Sequence, residues 1–110
     1  ISLADSEDAI LFFSYSGSTK DMCDTLNIAS QRGVPVILIT HFPKSAGAEF
    51  ATVVLQCGCN ESPLQSGSVA AKVGQLFIID CLFYGFCCQK PEIRSAARSA
   101  TAQAITNKLL

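Results

Sequence analysis

The chain has 110 residues, a formal net charge of −1, 49% apolar residues and 15% charged residues. That length allows one compact domain. The composition excludes a disordered or coiled-coil chain, and the charge balance gives no general attraction to nucleic acid.

Residues 1–8 form an acidic lead-in with Asp5, Glu7 and Asp8. Ala9–Ser14 is a continuous apolar run, the mark of a strand buried on both faces. Ser14-Tyr15-Ser16-Gly17-Ser18-Thr19 follows, and a helical pattern over Gly17–Arg32 opens behind it, with Met22, Leu26 and Ala29 on its apolar face. Gly33 stops that helix as a C-cap. Val34–Thr40 reads as a second buried strand, with Pro35 tolerable only near its start. His41-Phe42-Pro43-Lys44 is a loop, Ser45–Phe50 at most a short helix, and Ala51–Gln56 a third strand. A loop from Cys57 to about Gln65 leads into a long helix, Ser66–Gln89, with a wide apolar face of Val69, Val73, Leu76, Phe77, Phe83, Tyr84 and Cys87. Pro91 separates it from a last helix, Glu92–Lys108, which is mildly basic.

The order β-α-β-(α)-β-α-α implies parallel strands with right-handed crossovers. In such sheets ligands bind beyond the carboxyl ends of the strands. The Ser14–Thr19 turn, Thr40–His41 and the Cys57–Ser68 loop are expected on that edge. The turn is a ready anion site, because the first N–H groups of a helix lack internal partners and the helix dipole favours negative charge there. Hydroxyls add donors without adding charge, so a phosphate group is the expected guest. The alternative for Ser14, Ser16 and Thr19 is turn chemistry and helix capping, but three hydroxyls exceed what one cap needs. Ser66 and Ser68, at the start of the long helix, are either caps or a second approach to the ligand.

The six cysteines do not read as a disulfide scaffold. Cys23, Cys81, Cys87 and Cys88 fall inside helices, where free Cys acts as a small hydrophobe. Cys57-Gly58-Cys59 lacks a second Cys/His pair at ligand spacing, and His41 is the single histidine, so neither a metal nor a cofactor is expected. The most apolar run, Leu76–Cys88, is short for a bilayer and contains Asp80, and no signal peptide is legible, so a soluble, cytoplasmic chain without a membrane partner is expected. Amid that apolar run, Asp80 is expected to be paired.

The strand–Ser-Tyr-Ser-Gly-Ser-Thr–helix unit resembles the sugar isomerase (SIS) domain family. So do Ala29–Thr40, the segment Ala46–Leu55, and the stretch Ser66–Asp80, which is most similar to the SIS domains of RpiR-type transcriptional regulators. The resemblance runs over about residues 8–108. It implies a flavodoxin-like, doubly wound α/β/α sandwich that binds phosphosugars, with the phosphate gripped by Ser14, Tyr15 through its backbone, Ser16 and Thr19, and with Gly17 allowing close approach. The family's first strand and its Gly-Ser-Ser loop have no counterpart here, so the chain resembles an N-terminally truncated domain, residues 1–110. It also implies a phosphosugar effector, DNA contact only through a helix-turn-helix domain absent from this sequence, and no enzymatic activity. The apolar strand Ala9–Phe13 and the wide face of the long helix call for a neighbour, so a homo-oligomer of at least a dimer is expected. Two other functions share these features. An aldose–ketose isomerase needs a base, for which Glu49, Glu61 and His41 are candidates outside any recognisable catalytic motif. A flavodoxin uses a similar phosphate loop, but needs aromatic side chains in later loops, which lack Trp and Tyr here.

Overall fold

The computed structural model describes residues 1–58 and 69–108. Among them the elements are β1 (Ile10–Phe13), α1 (Lys20–Gln31), β2 (Val36–Thr40), a short 3₁₀ helix over Ala46–Phe50, β3 (Val53–Gln56), α2 (Val69–Gln89) and α3 (Pro91–Thr106). The chain divides into two compact units, Ile1–Leu76 and Phe77–Leu110, with the boundary inside α2.

The first unit is an α/β layer. Its three strands are parallel in the order β1-β2-β3, with Ile10 opposite Val36 and Ile37 opposite Val53. Central β2 is the most apolar in surroundings, with Val36, Leu38, Ile39 and Thr40 all buried. Period-2 alternation sends Val36 and Leu38 into a core with Met22, Leu26 and Ala29 of α1, and Ile10 and Phe12 pack against it. Met22, Leu26 and Ala29 share one face of α1 because they lie four and three residues apart.

The end of α1 follows from its sequence. Gly33 has φ +70°, its N–H donates to the Ser30 carbonyl at 3.0 Å, and the Val34 N–H donates to the Ala29 carbonyl at 3.0 Å. This paired 5→2 and 6→1 closure is a Schellman motif. It turns the chain straight into Pro35 and β2. The acidic lead-in is tied down as well, since Arg32 Nε and Nη2 donate to the Ala4 carbonyl at 3.1 and 3.0 Å.

The second unit holds the rest of α2 together with α3. Phe83, Phe86, Cys87, Ile93 and Ile105 line an open groove of about 590 Å³, with Arg94 and Arg98 also on its walls. Pro91 opens α3, where the missing N–H costs nothing.

Helix α2 departs from expectation. Of the residues assigned to its apolar face, Cys87 is buried, but Val69, Val73, Leu76, Phe77, Phe83 and Tyr84 are all exposed. The physical reason is that its apolar residues run around the whole helix instead of forming one stripe, so no single packing surface can cover them. In the first unit α2 buries Ala71 instead, beside the backbone of Gly58. Asp80 is exposed, so it needs no buried partner. Cys81 and Cys88 are exposed too, and do not act as core hydrophobes. At 21 residues, with a mean hydropathy of 1.5, α2 is longer than its most apolar run and passes by length and composition as a membrane span. Asp80 near its middle opposes that, at about 2.5–3.5 kcal/mol for a carboxylate at a bilayer centre.

Candidate functional site

The site is built at the carboxyl edge of the sheet, where β1 ends and α1 begins. Ser14, Tyr15, Ser16, Gly17 and Thr19 are brought together there, as the sequence pattern requires. Ser66, Ser68 and Glu61 lie outside the described residues.

Three of the hydroxyls shape the loop. Ser14 Oγ accepts the Gly17 N–H at 3.1 Å, and Ser16 Oγ accepts the Ser18 N–H at 3.3 Å. Ser18 Oγ closes the same turn by donating to the Ser16 carbonyl at 3.3 Å. Turn chemistry thus accounts for part of the serine content. Thr19 differs. It holds the N-cap position of α1 in an extended conformation but makes no side-chain cap bond. Its exposed hydroxyl is not spent on the helix, and it stands where the helix dipole favours an anion.

Gly17 is required twice over. Its φ is +63°, a left-handed conformation that L side chains rarely adopt. A Cβ added there would collide with Ser45 Oγ and lie 2.7 Å from Ser45 Cβ and 2.9 Å from Thr40 Oγ1. Ser45 itself is buried, and its hydroxyl oxygen has no hydrogen-bond partner among the described residues.

The loop after β2 is pinned to the loop after β1. Thr40 Oγ1 donates to the Tyr15 carbonyl at 3.0 Å, and the His41 N–H donates to the same carbonyl at 3.1 Å. The Phe42 N–H donates to Thr40 Oγ1 at 3.2 Å, and farther along the Gly47 N–H donates to the Gly17 carbonyl at 2.8 Å. The buried threonine therefore joins two loops. The His41 ring stacks on the Tyr15 ring, with centroids 5.2 Å apart and planes at 6°. Its Nδ1 is 3.1 Å from the Cys57 carbonyl, which brings in the end of β3. Burial pushes the Cys57 thiol above its ordinary pKa, which keeps it protonated and unreactive at neutral pH.

Ser16 and Ser18 face an open cavity of about 590 Å³, closed on its other side by Phe42, Pro43, Lys44 and Ser45. The volume lies within the roughly 300–1,000 Å³ of small-molecule sites. The sequence places Thr40–His41 on this edge but gives Phe42 and Lys44 no role beyond the loop. The position after a parallel strand was the available signal, since every such loop reaches the ligand-binding edge.

Known proteins resemble this chain in sequence and in fold. The SIS domain family profile matches residues 1–84. An uncharacterized HTH-type transcriptional regulator of Bacillus subtilis, YbbH, is 30% identical over 106 residues, covering 96% of this chain and 38% of that protein. The HTH-type transcriptional regulator RpiR of Escherichia coli K12 is 30% identical over 82 residues, covering 74% of this chain and 28% of that protein. Among solved structures, the Vibrio vulnificus NanR protein complexed with ManNAc-6P superposes with a TM-score of 0.81 at 28% identity, covering 94% of this chain and 39% of NanR. The chain thus spans well under half the length of these relatives.

Proposed function

The chain belongs to the SIS domain family, and on that footing we propose that it is the phosphosugar-binding sensor domain of a transcriptional regulator of sugar metabolism. The observation that carries this reading is the Ser14–Thr19 loop, whose Thr19 hydroxyl makes no cap bond and no other hydrogen bond among the described residues, at the start of α1 on the carboxyl edge of a parallel sheet. The NanR complex with ManNAc-6P supports a phosphosugar as the guest. Ser14, Ser16 and Thr19 supply hydroxyls, Tyr15 and Gly17 supply backbone, and Ser66 and Ser68, which lie outside the described residues, are further candidates for ligand contact on the sequence pattern. The domain senses and does not turn over substrate. The regulator is cytoplasmic, needs no cofactor, and meets DNA through a helix-turn-helix domain elsewhere in the full-length protein, as the relatives' descriptions suggest.

A phosphosugar at a hundred times its Kd is expected to stabilise the domain by about 2.7 kcal/mol, read as a rise in melting temperature. Thr19→Val removes a hydroxyl that would bond a charged phosphate, a contact worth about 1.5–3 kcal/mol, and is expected to erase most of the shift. A melting temperature unmoved by every phosphosugar of a broad panel would sink the proposal. Conversion of a sugar phosphate to its isomer would establish the isomerase instead.

The regulator works as at least a dimer. The exposed apolar side chains of α2 and the outer edge of β1, unpaired among the described residues, support this. Light scattering is expected to give at least twice the chain mass, and a monomer at high concentration would refute it.

A further inference from the structure

We propose that the loop between β2 and the 3₁₀ helix is the second wall of the ligand site, with Lys44 meeting the phosphate charge and Phe42 carrying the sugar ring. The inference rests on the phosphosugar reading and goes beyond it by assigning two residues outside the Ser14–Thr19 motif.

The need for a cation is electrostatic. A phosphate monoester carries about −1.5 to −2 charges at neutral pH. The Ser14–Thr19 loop offers hydroxyls and N–H groups but no full positive charge. Among the described residues, Lys44 is the cation that lines the cavity faced by Ser16 and Ser18. Its side chain is exposed, so it can swing to the anion without first breaking a buried contact.

The need for an apolar surface is equally plain. A sugar ring presents a C–H face as well as hydroxyls, and small-molecule sites are lined mainly by apolar and aromatic groups. Phe42 is 46% exposed and faces the same cavity. It is also held. Its ring packs edge-on against His41 at 4.9 Å and against Tyr15 at 5.7 Å. Its carbonyl accepts the Ser45 N–H at 3.0 Å, closing the turn that presents Lys44.

The wall is rigidly referenced to the phosphate loop. The Thr40–Tyr15 bond enters it and the Gly47–Gly17 bond leaves it, so the segment is anchored to the opposing loop on both sides. Such pre-organisation reduces the ordering cost of binding. Neither side chain belongs to the core cluster, so their substitution leaves that core intact.

Inorganic phosphate and N-acetylmannosamine 6-phosphate separate the two roles when titrated calorimetrically against the full chain. Lys44→Met is expected to weaken both probes about tenfold at low ionic strength, equivalent to about 1.4 kcal/mol. The loss should shrink in about 1 M KCl, where screening acts beyond about 3 Å. Lys44→Arg should stay within a few-fold of the wild type. Phe42→Ala should weaken the sugar phosphate about tenfold and leave inorganic phosphate unchanged, since only the sugar meets the ring. If Lys44→Met binds both probes like the wild type while Thr19→Val loses them, the second wall is refuted and the phosphate loop stands. If the wild-type chain binds neither probe, the phosphosugar reading falls and takes the wall with it.

Discussion

Gly17→Ala is expected to cost about 3 kcal/mol of stability and to abolish ligand binding, the left-handed backbone contributing about 1–2 kcal/mol and overpacking the remainder. Gly17 sits at φ +63° in the middle of the candidate anion loop, so the strain falls on the N–H groups that would face a ligand. The new Cβ also meets Ser45 Oγ beneath the loop and lies 2.9 Å from Thr40 Oγ1. These two residues cannot retreat without cost, since Thr40 ties the Tyr15 carbonyl to the Phe42 N–H. Urea unfolding measures the loss as a fall in midpoint at constant slope. The double variant Gly17→Ala/Ser45→Ala separates the two terms. It should recover part of the loss, because Ser45 Oγ is gone and that oxygen had no partner to lose among the described residues. The backbone term should persist. A Gly17→Ala variant as stable as the wild type would mean that the loop does not adopt this conformation.

Leu26→Ala should be comparably damaging, at about 2–5 kcal/mol for a fully buried leucine. Leu26 has no exposed surface and belongs to the core cluster with Met22, Ala29, Val36 and Leu38. It also lies below Gly47, where an added Cβ would stand 3.4 Å from Leu26 Cδ1. Removing it opens a cavity between α1 and β2 next to the segment that braces the anion loop. Binding is therefore expected to weaken along with stability, although Leu26 touches no ligand. The check is urea unfolding paired with the phosphosugar thermal shift. A loss below about 1 kcal/mol would show that the helix does not seat on this face of the sheet.

The two effects trace the same line from core to site. Packing of α1 against Val36 and Leu38 fixes where its first turn points. The glycine and the threonine then set the loop that leads into that turn. The loop after β2 is braced against it and supplies groups of a different kind, a ring and a charge.

Much of this was legible in the sequence. The apolar runs Ala9–Ser14 and Val34–Thr40 read as strands, and the spacing of Met22, Leu26 and Ala29 as one helix face. Both strands form, but only β2 is largely buried; β1, expected to be buried on both faces, is half-buried with Leu11 exposed, because it has a neighbour on one side only among the described residues. Gly33 announced the end of α1 because no other residue enters the left-handed closure as cheaply. The hydroxyl-rich turn between strand and helix marked the candidate site. These features are local, and each rests on backbone geometry or short-range periodicity.

The rest was decided at long range. That Ser14 and Ser16 spend their oxygens on the turn while Thr19 does not is a matter of angles that composition cannot encode. Phe42 and Lys44 line the same cavity as Ser16 and Ser18 only because β1 and β2 are parallel neighbours, which places their following loops side by side. Helix α2 shows the opposite limit. Its apolar residues predicted burial, but they surround the helix, and most of them face outward among the described residues. Hydrophobicity states how much surface a segment would gain by covering, whereas only the tertiary arrangement determines which part of that surface has something to cover it.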